Sequence, residues 1–285
     1  MTSPRIITAD APLLATLRKQ GDHKYDHGHV LVLSGDAGTT GAARLAARGA
    51  LRIGAGLVTL GVPPAAQLEV AMQVTAVMLT RVRDASALEA VLEDTRINTL
   101  CLGPGLGLDD RAAGLVASAL EAMRRTVLDA DALTLIARDE RLFDALHEDC
   151  VLTPHGGEFK RVFPDLSEAM SAGRLSKGDI TRQAAARAGC TVLLKGEETA
   201  IADPDGTCAL HRAMGERAAP WLATAGAGDV LAGFIAGLLA RGASPMAACE
   251  AATWLHVECA RQFGPALIAE DLPEQVPLVL SALSL

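Results

Sequence analysis

The segment Ala223-Thr224-Ala225-Gly226-Ala227-Gly228-Asp229 sets small residues and two glycines directly before a carboxylate, and an apolar run from Val230 to Ala240 follows at once. Glycine permits left-handed turns in which successive N–H groups converge, and a helix beginning there adds the positive end of its dipole, so the segment is suited to cradle an anion. A carboxylate on the rim of such a cradle does not help to hold phosphate. It is well placed to take a proton from a hydroxyl facing it. The same Asp could equally do no more than cap the helix, and a lone glycine loop does not decide between the two.

Two further segments carry polar chemistry directly after predicted strands. In Leu194-Lys195-Gly196-Glu197-Glu198-Thr199 a lysine and a threonine stand where open α/β sheets bind ligands, able to meet phosphate or ribose oxygens; an ordinary surface hairpin would read the same way. In Thr153-Pro154-His155-Gly156-Gly157-Glu158 a histidine and a glutamate three residues apart offer an imidazole and a carboxylate able to hold a hydrated Mg²⁺. A loop histidine and a first-turn helix glutamate are the plainer alternative. Asp129 and Asp131 follow another strand and either face the cleft or start a helix. Trp221 reads as packing or as a wall beside a nucleotide.

These segments need a scaffold that brings them together. Short Val-, Ile- and Leu-rich runs alternate with longer Ala- and Leu-rich stretches, the pattern of strands feeding crossover helices in a mainly parallel sheet. Strands are predicted over residues 29–34, 57–62, 99–102, 126–129, 151–153 and 191–194, and helices over 42–53, 111–123, 180–188, 230–240 and 246–263. Residues 198–202 and 207–211 flank Pro204-Asp205-Gly206, a turn sequence that predicts an antiparallel hairpin on the sheet. A polar, proline-bounded tail is predicted to close the chain. Glycine loops at residues 34–41 and 102–107 also leave predicted strand ends. Each alone reads as an ordinary connection, but five polar or glycine-rich loops on one sheet rim make a binding site.

Composition narrows the classes. The chain has 285 residues, half of them hydrophobic, enough for one large core in a single domain spanning residues 1–285. Its net charge is −8, with no basic run, which argues against a nucleic-acid surface. Any phosphate must then be held by backbone amides, helix ends and a few placed lysines. Six cysteines without paired spacing read as free buried thiols in a reducing compartment. The longest apolar run is too short to span a bilayer, and the first residues lack a signal-peptide pattern, so a cytoplasmic protein is expected. His23, Lys24, Tyr25, His27 and His29 match no zinc spacing and are assigned a surface or interface role.

Taken in order, HKYDHGHVLVLSG, TGAARLAARGALRIGAGLVTL, LGPGLG, LDADAL, LTPHGGEF, LLKGEETAIADPDG and ATAGAGDVLAGFIAGLL, from about His23 to about Leu272, resemble the ADP- or ATP-dependent NAD(P)H-hydrate dehydratase family. That resemblance implies a ribokinase-like three-layer α/β fold, with a mainly parallel sheet and an antiparallel edge hairpin. It implies an enzyme that removes water from hydrated NADH and NADPH, using a nucleotide phosphoryl group to turn the ring hydroxyl into a leaving group. Asp229 matches the base. Gly226, Ala227 and Gly228 match the amides that meet the transferring phosphate, and Lys195, Gly196, Glu197, Glu198, Thr199 and Gly228 match the nucleotide segment. Ala42, Gly105 and His155 match positions lining the hydrated-nicotinamide pocket. ADP (or ATP) and Mg²⁺ are the implied cofactors, with Glu158 as a ligand of the metal through water.

The chain departs from the family pattern at three places: Ala227 stands for a frequent Thr, Glu198 for a small residue and Gly156 for a bulkier one. A homo-oligomer is implied, and because many relatives carry a fused epimerase domain, the epimerase is expected here as a separate protein. The enzymatic rival is a vitamin-precursor kinase of the same superfamily, which would leave a phosphorylated product. The rival of another kind is a nucleotide-sensing protein without turnover.

Overall fold

The computed structural model describes residues 3–285. Ten strands form one sheet: β1 (Arg5–Ile6), β2 (His29–Leu33), β3 (Leu57–Val62), β4 (Met78–Arg81), β5 (Ile97–Leu102), β6 (Arg125–Leu128), β7 (Cys150–Leu152), β8 (Thr191–Leu194), β9 (Glu198–Ala202) and β10 (Cys208–Arg212). Before β8 lie ten helices: α1 (Ala11–Leu17), α2 (Gly41–Arg52), α3 (Gln67–Ala71), α4 (Ala85–Leu92), α5 (Asp110–Glu121), α6 (Ala130–Ile136), α7 (Glu140–Asp144), α8 (Gly156–Val162), α9 (Pro164–Ser171) and α10 (Lys177–Ala188). After β10 come α11 (Ala227–Ala240), α12 (Pro245–Phe263) and α13 (Asp271–Ala282).

The strand order is β1-β10-β9-β8-β7-β6-β5-β2-β3-β4. All pairings are parallel except β8 with β9 and β9 with β10, which form the hairpin near one edge. The two-residue β1 adds a parallel rung outside that hairpin. Because the chain moves from β2 to β3 on one side and continues from β5 to β6 on the other, the order reverses between β2 and β5, and ligands in such sheets bind at that point, beyond the strand ends.

Alternation along the strands divides the core. Val30 and Val32 pack with α2, α11 and α12 on one face; Leu31 and Leu33 pack with α4, α5 and α10 on the other. Strands buried on both faces explain why the sequence shows continuous apolar runs rather than alternation. Helix α11 is buried almost all round. It lies so close to α2 that a Cβ on Gly233 would come within 2.1 Å of the Ala46 carbonyl oxygen. That contact fixes where the glycine loop before α11 meets the sheet rim.

Two expectations are corrected. The chain does not end in a polar tail: α13 forms over Asp271–Ala282, because Leu272, Val276 and Val279 recur at helical spacing and bury against α12 and α2 despite Pro273 and Pro277. Nor is the histidine cluster wholly superficial. His27 and His29 are buried, and His29 Nε2 lies 2.8 Å from Thr59 Oγ1, partnered with the neighbouring strand.

Candidate functional site

The glycine loop ends as its composition requires. Gly226 sits at φ +88°, a left-handed conformation that a side chain would strain, and a Cβ there would press on Leu45 and Ala269. The ladder of α11 begins with the Val230 N–H donating to Gly226 O, so the amides of Gly228 and Asp229 belong to the first turn, which has no partner within the helix. Ala227 is held from behind by His256 of α12, whose Nε2–H donates to the Ala227 carbonyl at 2.9 Å. Burial pulls His256 down to about 4, so the ring is neutral and acts as a fixed donor.

Directly opposite stand the residues that follow β6, β7 and β8. A Cβ placed on Gly228 would lie 3.3 Å from Lys195 Nζ and 4.0 Å from Asp129 Oδ2. Lys195 Nζ donates to Asp129 Oδ1 at 2.7 Å and lies 3.8 Å from Glu158 Oε2. The Lys195 side chain is 19% exposed and that of Asp129 2%, so this is a charge pair in the floor of the site. Burial alone would lower the Lys195 amine; Asp129, Glu158 and Asp229 outweigh it and raise the amine above its usual value. The amine stays charged.

Asp229 responds to the same surroundings. Burial first, then the negative charges of Asp129, Glu158 and Asp131, push its carboxyl up to about 6, with Lys195 pulling the other way. A carboxylate poised just below neutral pH, beside free helix amides, suits proton abstraction better than capping.

His155 and Glu158 form the entry to α8 as a reciprocal pair. Nδ1 of His155 accepts the Gly157 amide at 2.9 Å, and Glu158 Oε2 accepts the His155 amide at 2.7 Å. His155 keeps half of its side chain exposed, and with Glu158 and Asp131 it lines a cleft of about 600 Å³. Asp131 accepts the Gly107 amide at 2.9 Å, tying the glycine loop after β5 to this side. Ala130, between Asp129 and Asp131, adopts φ +45°, a strained conformation at the residue that separates two site carboxylates.

Across the switch point the two glycine loops touch. A Cβ on Gly35 would collide with the Gly105 carbonyl oxygen at 1.9 Å, and one on Gly105 would lie 2.6 Å from Thr39 O and 3.5 Å from Ala42 Cβ. Glu69 of α3 fixes the near loop, accepting the Gly38 amide at 2.7 Å and the Thr40 hydroxyl. Ala42 and Gly105 are thus adjacent at one end of the rim, and Lys195, Asp129, Glu158 and the α11 amides are adjacent at the other.

The segment expected to meet the nucleotide is arranged differently from a set of free side chains. Glu198 accepts from Arg212 at 2.7 Å within the hairpin, and Thr199 Oγ1 donates to Gly196 O at 3.0 Å. Lys177, at the start of α10, donates to the carbonyls of Lys195 and Glu198 and so holds the loop in shape. Burial brings the Lys177 amine down to about 8.

Sequence reading passed over Lys177, Glu69 and His256. Each acts on loop backbone from an element distant in sequence, and no local motif announces that. Asp129 was noticed, but its partnership with Lys195 shows only when β6 and β8 are placed on either side of β7. All six cysteines are buried and free.

The strand order, the hairpin and the site at the switch point define the ribokinase-like class of α/β proteins. Within that class the sequence model of one family, NAD(P)H-hydrate dehydratase, matches residues 30–276, and the chain belongs to that family. An ADP-dependent (S)-NAD(P)H-hydrate dehydratase from Xanthomonas campestris pv. campestris is 31% identical, the alignment covering 99% of both chains. The bifunctional NAD(P)H-hydrate repair enzyme Nnr of Moorella thermoacetica is 38% identical over 92% of this chain, which spans 51% of that relative, about half its length. A crystal structure of the ADP/ATP-dependent NAD(P)H-hydrate dehydratase of Bacillus subtilis, co-crystallised with ATP and Mg²⁺, superposes with a TM-score of 0.79 at 30% identity, covering 95% of both chains.

Proposed function

We propose that the chain removes water from hydrated NADH and NADPH at the expense of a nucleotide phosphoryl group, with ADP as the donor and ATP as the alternative. The observation that carries this reading is Asp229, a half-buried carboxylate raised to about 6, next to the unpaired amides of α11 and across from the Lys195–Asp129 pair. The names of the relatives of this length support ADP.

In the first step Asp229 takes the proton of the ring hydroxyl while its oxygen attacks the terminal phosphorus of the nucleotide. The amides around Gly228 meet the charge spread over the phosphoryl oxygens, and Lys195 supplies a fixed positive charge beside them. The bond from phosphorus to the bridging oxygen breaks and AMP leaves when ADP is the donor. In the second step the ring carbon loses phosphate and the neighbouring carbon loses a proton, restoring the double bond of the reduced nicotinamide.

Ala42, Gly105 and His155 would line the ring pocket. Gly196, Glu197, Glu198 and Thr199 would meet the nucleotide through a loop braced by Lys177. With Ala227 in the glycine loop, the phosphate meets backbone alone where a hydroxyl is frequent, and the His256 contact fixes that backbone. Among the described residues no cluster of three or more His, Cys, Asp or Glu is placed to hold a metal ion. Mg²⁺ would come with the nucleotide, and Glu158 would hold it through water. When bound, the ion would neutralise phosphate charge.

In this proposal one catalytic domain carries the whole reaction, in the cytoplasm, as a homo-oligomer with a functional link to an NAD(P)H-hydrate epimerase. No helix among the described residues is long and apolar enough to cross a membrane. Incubation with hydrated NADH and either ADP or ATP tests the reading. The expected result is recovery of reduced-nicotinamide absorbance in step with release of inorganic phosphate. Accumulation of a phosphorylated product without absorbance gain would favour the kinase, and binding without any turnover the sensor.

A further inference from the structure

We propose that the groove along α2, entered at Gly41 and lined by Arg44, binds a phosphate group in the far half of the dinucleotide substrate; this rests on the dehydratase reading above. The groove has a volume of about 710 Å³ and lies between α2 and the segment Gln73 to Val77. Its near end adjoins Ala42, which touches the Gly105 loop at the rim. A dinucleotide whose nicotinamide ring sits between Ala42, Gly105 and His155 must lead its phosphates and second nucleoside away from the reacting centre, and this groove offers a route.

The charges in the groove favour an anion. Arg44, Arg48 and Arg52 recur every four residues, so they line one face of α2 over about 12 Å. Arg48 Nε donates to Glu274 at 2.8 Å, and Arg52 donates to the same carboxylate. Two guanidinium groups thus share one counter-charge. Arg44 makes no ion pair: its Nε is buried without a hydrogen-bond acceptor, and among the described residues no carboxylate lies within ion-pair distance. Its charge is felt by Glu69, whose oxygens already serve Thr40 and Gly38. One acidic residue, Glu270, also lines the groove.

In a chain of net charge −8 an arginine that lines the groove half-exposed and without an ion pair offers its guanidinium to an anion. A guanidinium fork matches phosphate oxygens in geometry as well as charge. Leu45, Leu51, Val74 and Val77 give the apolar wall that a ribose or a base would need. The phosphate can be the bridging pyrophosphate, present in both substrates, or the 2′-phosphate, present only in the NADPH form.

The test is Arg44→Ala, with Arg44→Lys as the conservative companion, assayed for KM with hydrated NADH, hydrated NADPH and the phosphoryl donor. The expected result is a rise of about 10- to 100-fold in the dinucleotide KM, partly restored by Lys, with a donor KM close to wild type. A rise for both dinucleotides assigns the pyrophosphate; a rise confined to hydrated NADPH assigns the 2′-phosphate. An unchanged KM for both overturns the proposal. Should the wild type fail to turn over either hydrate, the dehydratase reading falls, and titration with intact NADPH decides the groove separately: binding weakened tenfold or more in Arg44→Ala sustains it, whereas equal or absent binding overturns it.

Discussion

As the proposed base, Asp229 must lose its proton before it can take one from substrate, and burial together with Asp129 holds its carboxyl up at about 6. The rate kcat/KM should therefore rise about tenfold per pH unit below pH 6 and level off above it. Lys195 lowers this carboxyl and Asp129 raises it, so Lys195→Met should move the acid limb to higher pH and Asp129→Asn to lower pH. A limb that stays put in both variants would assign the titration to another group. The same shift bears on stability. The folded state holds the Asp229 proton more tightly than an unfolded chain, whose Asp titrates near 3.8, so its contribution is full below that value and is lost as pH rises through about 6. At pH 7 the ionised group then costs the fold on the order of 1–3 kcal/mol. Asp229→Asn should raise Tm at pH 7 but not at pH 4, while turnover falls by roughly 10²- to 10⁴-fold and nucleotide binding survives. Thermal scans at the two pH values check the sign.

At the scale of elements, the loops are fixed by contacts that leave little room for change. Gly226→Ala places a methyl group against Leu45 and Ala269 in a left-handed conformation, and should cost about 1–3 kcal/mol along with most activity. Lys195→Ala leaves Asp129 buried without its partner. The expected loss of about 3–5 kcal/mol in denaturant unfolding comes on top of any rise in nucleotide KM. Loss of nucleotide affinity alone would mean that the Asp129 pair contributes nothing to the fold.

Strands and long helices were legible in the sequence because burial on both faces writes itself as apolar runs, and β3, β8 and β9 fall on the expected residues. Helix α13 was hidden by Pro273 and Pro277, and β4 by its exposed, mixed side chains at the sheet edge. The site was legible as separate loops. What the sequence withheld was their bracing, since the grip of Lys177 on β8 and β9, of Glu69 on the Gly38 loop and of His256 on Ala227 follows from tertiary placement.

At the scale of the whole molecule, the reversal of strand order between β2 and β5 gathers loops from both halves of the sheet at one rim, where each glycine loop would be unremarkable alone. In the proposed reaction a hydroxyl-bearing ring and a phosphoryl donor would meet at Asp229, so the central claim is that the ring oxygen itself becomes an oxygen of the released phosphate. Hydrated NADH labelled with ¹⁸O in the ring hydroxyl tests this in one mass spectrum. The account expects the phosphate formed with ADP to carry the label, one atom per molecule, in step with recovered NADH. Unlabelled phosphate accompanying that recovery would contradict it.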